Sequence, residues 1–385
     1  MHRIPSRPAT LLALTTLLAG CADTPAAPES PHEGMTLGVR SEAMRLANGP
    51  YSFSPPVFDI AATPDGGILV AQNTAIREIR RGEIGDVIEI PTVNGSPITG
   101  LSSVGRSSFF AGSGRVFAQN QGAALWRVSR GIARRVADIQ EFEQEHDPDA
   151  TKGPQWADPR CNDVPPFAAG PQSDPYHLTR LSGSEALIAD AAGNTLLIAK
   201  VNGNVEWVAL FTPATADGSG SDQPEDWLVG PAVGGADVCY LQPVPTSVAI
   251  GPDGAYYVGE LTGAAADPAD MPGLSRVWRI EPGVRNVLCP SSECRVVISG
   301  LTSVIDVAFG PDQLLYVLEY DQNGWLAALS GNPAGGAVKS CSVNTGACSL
   351  VEGELELPGA ITFDRWGNLW LLESNIIAPR IRRVE

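Results

Sequence analysis

The sequence predicts an all-β chain of six like units closed into a ring, and three observations carry that prediction. A strand, a tight Pro-Asp-Gly type turn and a second strand recur along the chain, often followed by a third strand ending near an Arg. The 41 glycines and 32 prolines among 385 residues favour short strands and tight turns over long helices. The last unit stops one strand short, while a strand-like segment near the N-terminus belongs to no unit of its own. Four-stranded units spaced by roughly fifty to seventy residues are the pattern of a six-bladed β-propeller, whose radial packing leaves short protected edges.

At the N-terminus, Arg3 and Arg7 precede an apolar run from Leu11 to Leu18 that is too short to cross a bilayer as a helix. It ends in Leu18-Ala19-Gly20-Cys21, which resembles the bacterial lipobox, so residues 1–20 read as a lipoprotein signal peptide and Cys21 as the lipidation site. Several acyl chains, at about 0.8 kcal/mol per buried CH2, anchor far more firmly than one. Ala22 after the cysteine, where Asp would retain a protein at the inner membrane, favours the outer membrane of a Gram-negative cell envelope. Residues 21–35, rich in Pro, Ala and acidic side chains, form a lipidated tether.

Residues 36–385 are then the propeller. The segment 36–47 is expected to supply the fourth strand of the final blade. Clear copies of the unit are 59–72, 247–260, 306–319 and 360–373, with weaker ones at 177–190 and 106–119. Third strands are expected at 124–128, 276–280 and 380–384, and outer strands at 205–210 and 295–298. Insertions interrupt the pattern at 144–174 and 212–241.

With Cys21 acylated, six of the seven cysteines remain, an even number that reads as disulfides in an oxidising compartment. Cys289 and Cys294 close a short loop, Cys341 and Cys348 flank an Asn-Thr-Gly turn as a cross-strand pair, and Cys161 is left to pair with Cys239 across the two insertions. That last bond would brace a lid over one mouth of the channel.

The stretches Ala137-Asp-Ile-Gln-Glu-Phe-Glu-Gln-Glu-His-Asp-Pro-Asp149, Asp174-Pro-Tyr176, Leu187-Ile-Ala-Asp-Ala-Ala-Gly-Asn194 and those from Pro245 to Gly263 and Val304 to Asp312 resemble the ScyD/ScyE family of exported propellers, relatives of NHL-type propellers. The resemblance covers nearly all of the chain after the signal. It implies the propeller fold and an association with synthesis of the pigment scytonemin, and it carries over no catalytic residue. This chain departs from the family pattern in His177, where a Gly follows Pro-Tyr, in its cysteine-bearing insertions and in its lipobox.

Strand alternation assigns function to one face. Connections from second to third strands, and from each outer strand to the next inner one, emerge on the same side. Both insertions therefore lie there, with the long segments 261–274 and 320–336. Asp59, Tyr176, His177, Ser247 and Asp306 fall at the mouth on that side as a candidate ligand face. Second strands are expected to end there at Gln72, Gln119, Asp190, Glu260, Glu319 and Glu373. The four acids Asp190, Glu260, Glu319 and Glu373 are a candidate site for Ca2+, which takes six to eight oxygen ligands. The competing reading pairs each acid with its own turn amides or with a third-strand Arg such as Arg279 or Arg383. Asp65, Asp253 and Asp312 sit in turns and read as structural.

A formal charge of -17 argues against nucleic acid or an anionic membrane surface as partner. Contact with membrane is expected through the lipid alone. A Ser247–His177–Asp306 triad can be drawn, yet no Gly-x-Ser-x-Gly elbow accompanies it. The chain therefore reads as a binding or scaffold module for a small molecule or protein. The alternative is a Ca2+-dependent hydrolase of lactonase or esterase type, whose metal-binding Glu at the first inner strand is replaced here by Ser54-Pro55-Pro56.

Overall fold

The computed structural model describes residues 48–116, 119–152, 171–230, 238–263 and 272–385. Six antiparallel sheets follow one another as blades. Blade 1 comprises Val57–Ala62, Ile68–Gln72, Ala75–Arg80 and Glu83–Glu89; blade 2, Ile98–Gly105, Ser108–Ser113, Ala124–Ser129 and Ile132–Asp138. Blade 3 comprises Pro175–Arg180, Glu185–Asp190, Thr195–Lys200 and Val205–Leu210; blade 4, Pro245–Ile250, Tyr256–Glu260, Ser275–Ile280 and Cys294–Leu301. Blade 5 comprises Val304–Phe309, Leu315–Glu319, Gly336–Cys341 and Cys348–Leu355. Blade 6 takes Ala360–Phe363, Leu369–Glu373 and Arg380–Arg383 from the C-terminus and its outer strand, Tyr51–Ser52, from the N-terminus.

The period of two explains how a blade faces two neighbours at once. In blade 3, Leu187 and Ala189 pack with Val248, Val258 and Trp278 of blade 4. Their alternates Ala186 and Ile188 pack with Phe110 and Leu125 of blade 2. Such apolar layers occur between every pair of adjacent blades, including blades 6 and 1, where Trp370 and Leu372 meet Ile60 and Val70. The ring is closed by this packing as well as by strand pairing.

Two expectations are corrected. The described closing strand is Tyr51–Ser52, paired with Ile381 and Arg380, whereas the segment 36–47 lies outside the described residues. Tyr51 supplies the apolar content of the closure, 9% exposed and with its ring 6.3 Å from that of Trp370. In blade 2 the inner strand is Ile98–Gly105, so the segment 106–119 begins one strand late. This blade replaces the Pro-Asp-Gly turn by a two-residue turn at Arg106–Ser107, which removed the landmark. Its second strand ends at Ser113, the register partner of Ile98, and not at Gln119.

Elsewhere the turns behave as expected. Gly66 and Gly254 adopt φ of 93° and 79°, which a side chain disfavours. Asp65 binds Arg80, Asp253 binds Arg279 and Tyr257, and Asp312 binds Tyr316. Cys289–Cys294 and Cys341–Cys348 are disulfides, with Cα separations of 5.3 and 4.1 Å, the second joining facing residues of adjacent strands. Cys161 lies outside the described residues, and its pairing with Cys239 with it. The connection that carries Cys289 also lends blade 3 a short parallel fifth strand, Val287–Leu288.

Each described blade is an antiparallel meander, so its connections alternate between two faces. One face carries two- to six-residue turns and the Cys289 connection. The other carries the helices Ile139–His146 and Pro148–Thr151, the Val229–Gly230 and Cys239–Tyr240 hairpin, and the helix Trp325–Leu329. Disulfides fit an oxidising, exported setting. Among the described residues no helix is long and apolar enough to cross a membrane.

Candidate functional site

One register position recurs at the axis of every blade. The residue two places after the one that faces the end of the second strand is Asp59 in blade 1, Gly100 in blade 2, His177 in blade 3, Ser247 in blade 4 and Asp306 in blade 5. Ala360 holds the corresponding place in blade 6. Large titratable side chains from blades 1, 3 and 5 thus alternate with small ones from blades 2, 4 and 6. The small residues leave room for the large ones to meet: a Cβ on Gly100 would lie 3.1 Å from the Cα of His177.

The ligand atoms of Asp59, His177 and Asp306 lie within 4.8 Å of one another. His177 Nε2 stands 3.9 Å from Asp59 Oδ2 and 3.7 Å from Asp306 Oδ1. Each member also grips the next blade. Asp59 accepts from the Ile60 amide at 2.7 Å and from the Leu101 amide of blade 2 at 2.6 Å. Asp306 accepts from Val307 at 2.7 Å and from Ile361 of blade 6 at 2.8 Å. His177 Nδ1 accepts from Val248 of blade 4 at 3.4 Å, which sets the proton of a neutral ring on Nε2, facing the carboxylates.

The intervening joints use hydroxyls. Thr99 donates to the Pro175 carbonyl of blade 3, and Thr246 to the Val304 carbonyl of blade 5 at 2.7 Å. Thr362 of blade 6 accepts from the Ala62 amide of blade 1. Hydrogen bonds thus run around the whole axis.

Burial governs the electrostatics. Asp59 is 1% exposed, and its carboxyl is pushed up to about 7 by burial and by the Asp306 charge, with His177 opposing. Asp306 is raised by burial, again against His177. The Tyr176 phenol is raised by burial and by Tyr320, Asp174, Asp59 and Asp306 around it. Burial thus favours the protonated form of both acids, which are shielded from water. Ser247 is buried with no hydrogen-bond partner on Oγ, and the Ser247–His177–Asp306 triad does not form, because His177 presents Nδ1 to a backbone amide.

The four second-strand acids are held separately. Glu260 is fully buried between Arg276 Nε at 2.7 Å and Trp278 Nε1 at 2.5 Å. Glu319 meets Lys339 at 2.7 Å and the Thr302 amide at 2.7 Å, and Glu373 meets Arg382 Nε at 2.7 Å. Asp190 accepts from Ser173 and from the amides of Asp174 and Gly193, and burial pushes it up to about 6. These four do not gather: among the described residues, the groups of three or more metal-ligating side chains are Asp59–His177–Asp306 and Glu143–Asp147–Asp149. The geometry supports the competing reading: Asp190 is held by amides and Ser173, and the three glutamates pair with the third strand, with Arg276 and Arg382 as partners in place of Arg279 and Arg383. Sequence reasoning missed the alternating Gly100 and Ala360, and it missed the second acidic group, whose signal was a run of acids around Pro148.

No family model matches the chain, and no curated protein matches it. Solved propellers resemble it remotely. A streptogramin B lyase is 14% identical over 87% of this chain and 97% of its own, with a TM-score of 0.46. A nidogen/laminin complex is 12% identical over 80% and 85%, at 0.45. A protein of unknown function from Bacteroides thetaiotaomicron is 11% identical over 89% and 73%, at 0.49. Likenesses at this level carry nothing about binding or catalysis in this chain.

Proposed function

We propose that this protein is an exported, lipid-anchored binding module of the bacterial cell envelope. In this reading it is a ScyD/ScyE-like propeller whose long-loop face holds a small molecule or a protein partner. The observation that carries the reading is the asymmetry between the faces. The helices, the added hairpin and both insertion regions emerge on one side, over an axis where Asp59, His177 and Asp306 join adjacent blades. Anchorage rests on the Leu18–Cys21 pattern, with the outer membrane as the proposed destination.

The alternative, a Ca2+-dependent hydrolase, is favoured by the convergence of Asp59, His177 and Asp306. Against it stand the burial of both carboxylates and the Nε2 proton of His177, which occupies the position a ligand lone pair would need.

One experiment addresses anchor and chemistry together. The full chain and its Cys21→Ser variant are expressed in a Gram-negative host and fractionated, and the purified protein is assayed with Ca2+ against a panel of lactones and aryl esters. The expected results are a membrane-bound wild type, a variant released from the membrane, and no turnover. Turnover that disappears in Asp306→Asn would replace the binding reading with the hydrolase. An unchanged distribution of the variant would remove the anchor.

A further inference from the structure

The stretch Glu143-Gln-Glu-His-Asp147-Pro-Asp149 opens the first insertion, and its local geometry is unusual. The helix Ile139–His146 ends at Asp147, whose amide donates to the Glu143 carbonyl at 2.8 Å and whose φ is 41°. That left-handed residue turns the chain sharply into the helix Pro148–Thr151, where proline suits the first position. The reversal brings the carboxylates of Glu143, Asp147 and Asp149 together, with ligand oxygens within 4.8 Å of one another.

These carboxylates are not a solvated surface cluster. Glu143 is 1% exposed and Asp149 is 6% exposed. Glu143 Oε2 is buried without a hydrogen-bond partner, facing the other two acids. Among the described residues, no Lys or Arg forms an ion pair with any of the three. Burial first, and the neighbouring carboxylates including Asp190 second, hold Glu143 well above the ordinary glutamate range. Asp149 is raised by burial and by Asp147 and Asp190, against an opposing hydrogen bond from Asn194. An uncompensated group of this kind is costly to bury.

Blade 3 lines the cluster on two sides. Gly193, in the turn between the second and third strands of blade 3, forms one wall. A Cβ there would lie 3.1 Å from Glu143 Oε2 and 3.3 Å from Asp190 Oδ2. Asn194 fixes the other side, donating to Asp149 Oδ2 at 3.0 Å while its own Oδ1 accepts from the Val244 amide. His146 takes no part, since its ring stacks on Phe142 and its Nδ1 meets the Phe142 carbonyl.

We propose that Glu143, Asp147 and Asp149 bind a hard divalent cation of the Ca2+ class and so clamp the start of the first insertion to blade 3. The donors are all oxygens, without the imidazole or thiolate that would select zinc or copper. Three carboxylates from one short reversal, two of them buried, supply the charge. Ca2+ tolerates irregular coordination and takes its remaining ligands from carbonyls or water, whereas Mg2+ demands near-octahedral geometry.

The test uses the full chain stripped with a chelator, titrated calorimetrically with CaCl2 and melted with and without Ca2+. The expected result is one saturable site per chain, with an affinity of about 10⁻⁴–10⁻³ M, as in extracellular calcium modules. Excess Mg2+ should not displace it. Glu143→Gln should weaken binding by at least about tenfold. In chelator this variant should melt at or above wild type, because a buried charge is gone, and in Ca2+ below it. Gly193→Ala fills the cradle without altering charge, and it should weaken binding and remain informative if Glu143→Gln fails to fold. No saturable site in wild type would overturn the proposal, as would a site untouched by both substitutions.

Discussion

Asp59 shows what a single axial residue does. Its oxygens accept amides from two blades, and burial with the Asp306 charge raises it to about 7, against an unfolded value near 3.8. A raised carboxyl binds its proton more tightly in the folded state, so its stabilising contribution is complete below about pH 4 and is lost as pH rises through 7. Asp306 and Asp190 are shifted in the same direction. The melting temperature of wild type should therefore fall between about pH 4 and 7, and the fall should be shallower in Asp59→Asn, which keeps the size, no longer titrates, and gives up one of the two amide-accepting oxygens. Identical pH profiles for the two proteins would show that Asp59 does not titrate in this range.

At the scale of the strand, the ends of four of the six second strands are tied to the third by an acid–base or amide pair: Gln72–Arg77, Glu260–Arg276, Glu319–Lys339 and Glu373–Arg382. Glu260–Arg276 is the most demanding, since both side chains are fully buried. Glu260→Gln should destabilise the protein by about 3–5 kcal/mol, because Arg276 is left charged and buried, whereas replacing both by apolar residues of similar volume should cost far less. Urea unfolding of the single and double variants decides this, and equal losses in the two would count against it.

Pleat parity accounts for what the sequence concealed here. Arg382 and Arg383 are neighbours and Arg276 and Arg279 are three apart, so in each pair the members point to opposite faces of the strand. A count of basic residues near a strand end does not distinguish them, but register does. The shared axial position of Asp59, His177, Ser247 and Asp306 was legible because a repeat fixes register by itself. Glu143, Asp147 and Asp149 were not legible as a group, since their meeting depends on one left-handed residue inside an insertion.

For the whole molecule, ring architecture was readable from repeat spacing and from the missing last strand. The identity of the closing strand was not, because Tyr51–Ser52 is a two-residue strand between Pro50 and Pro55, where strand patterns disappear. In the proposed reading function follows topology more than side-chain chemistry: meanders sort long connections to one face, and hydrogen bonds join the blades around the axis beneath them.

The central claim is that this long-loop face is the binding face. It is tested most directly by placing a photo-cross-linking residue at Val229 or Leu329, 61% and 53% exposed on that face, and at Val201, 39% exposed in a turn of the opposite one. After irradiation of living cells and recovery of the protein, mass shifts should appear from positions 229 and 329 and be absent from 201. Adducts from 201 with none from 229 and 329 would contradict the account.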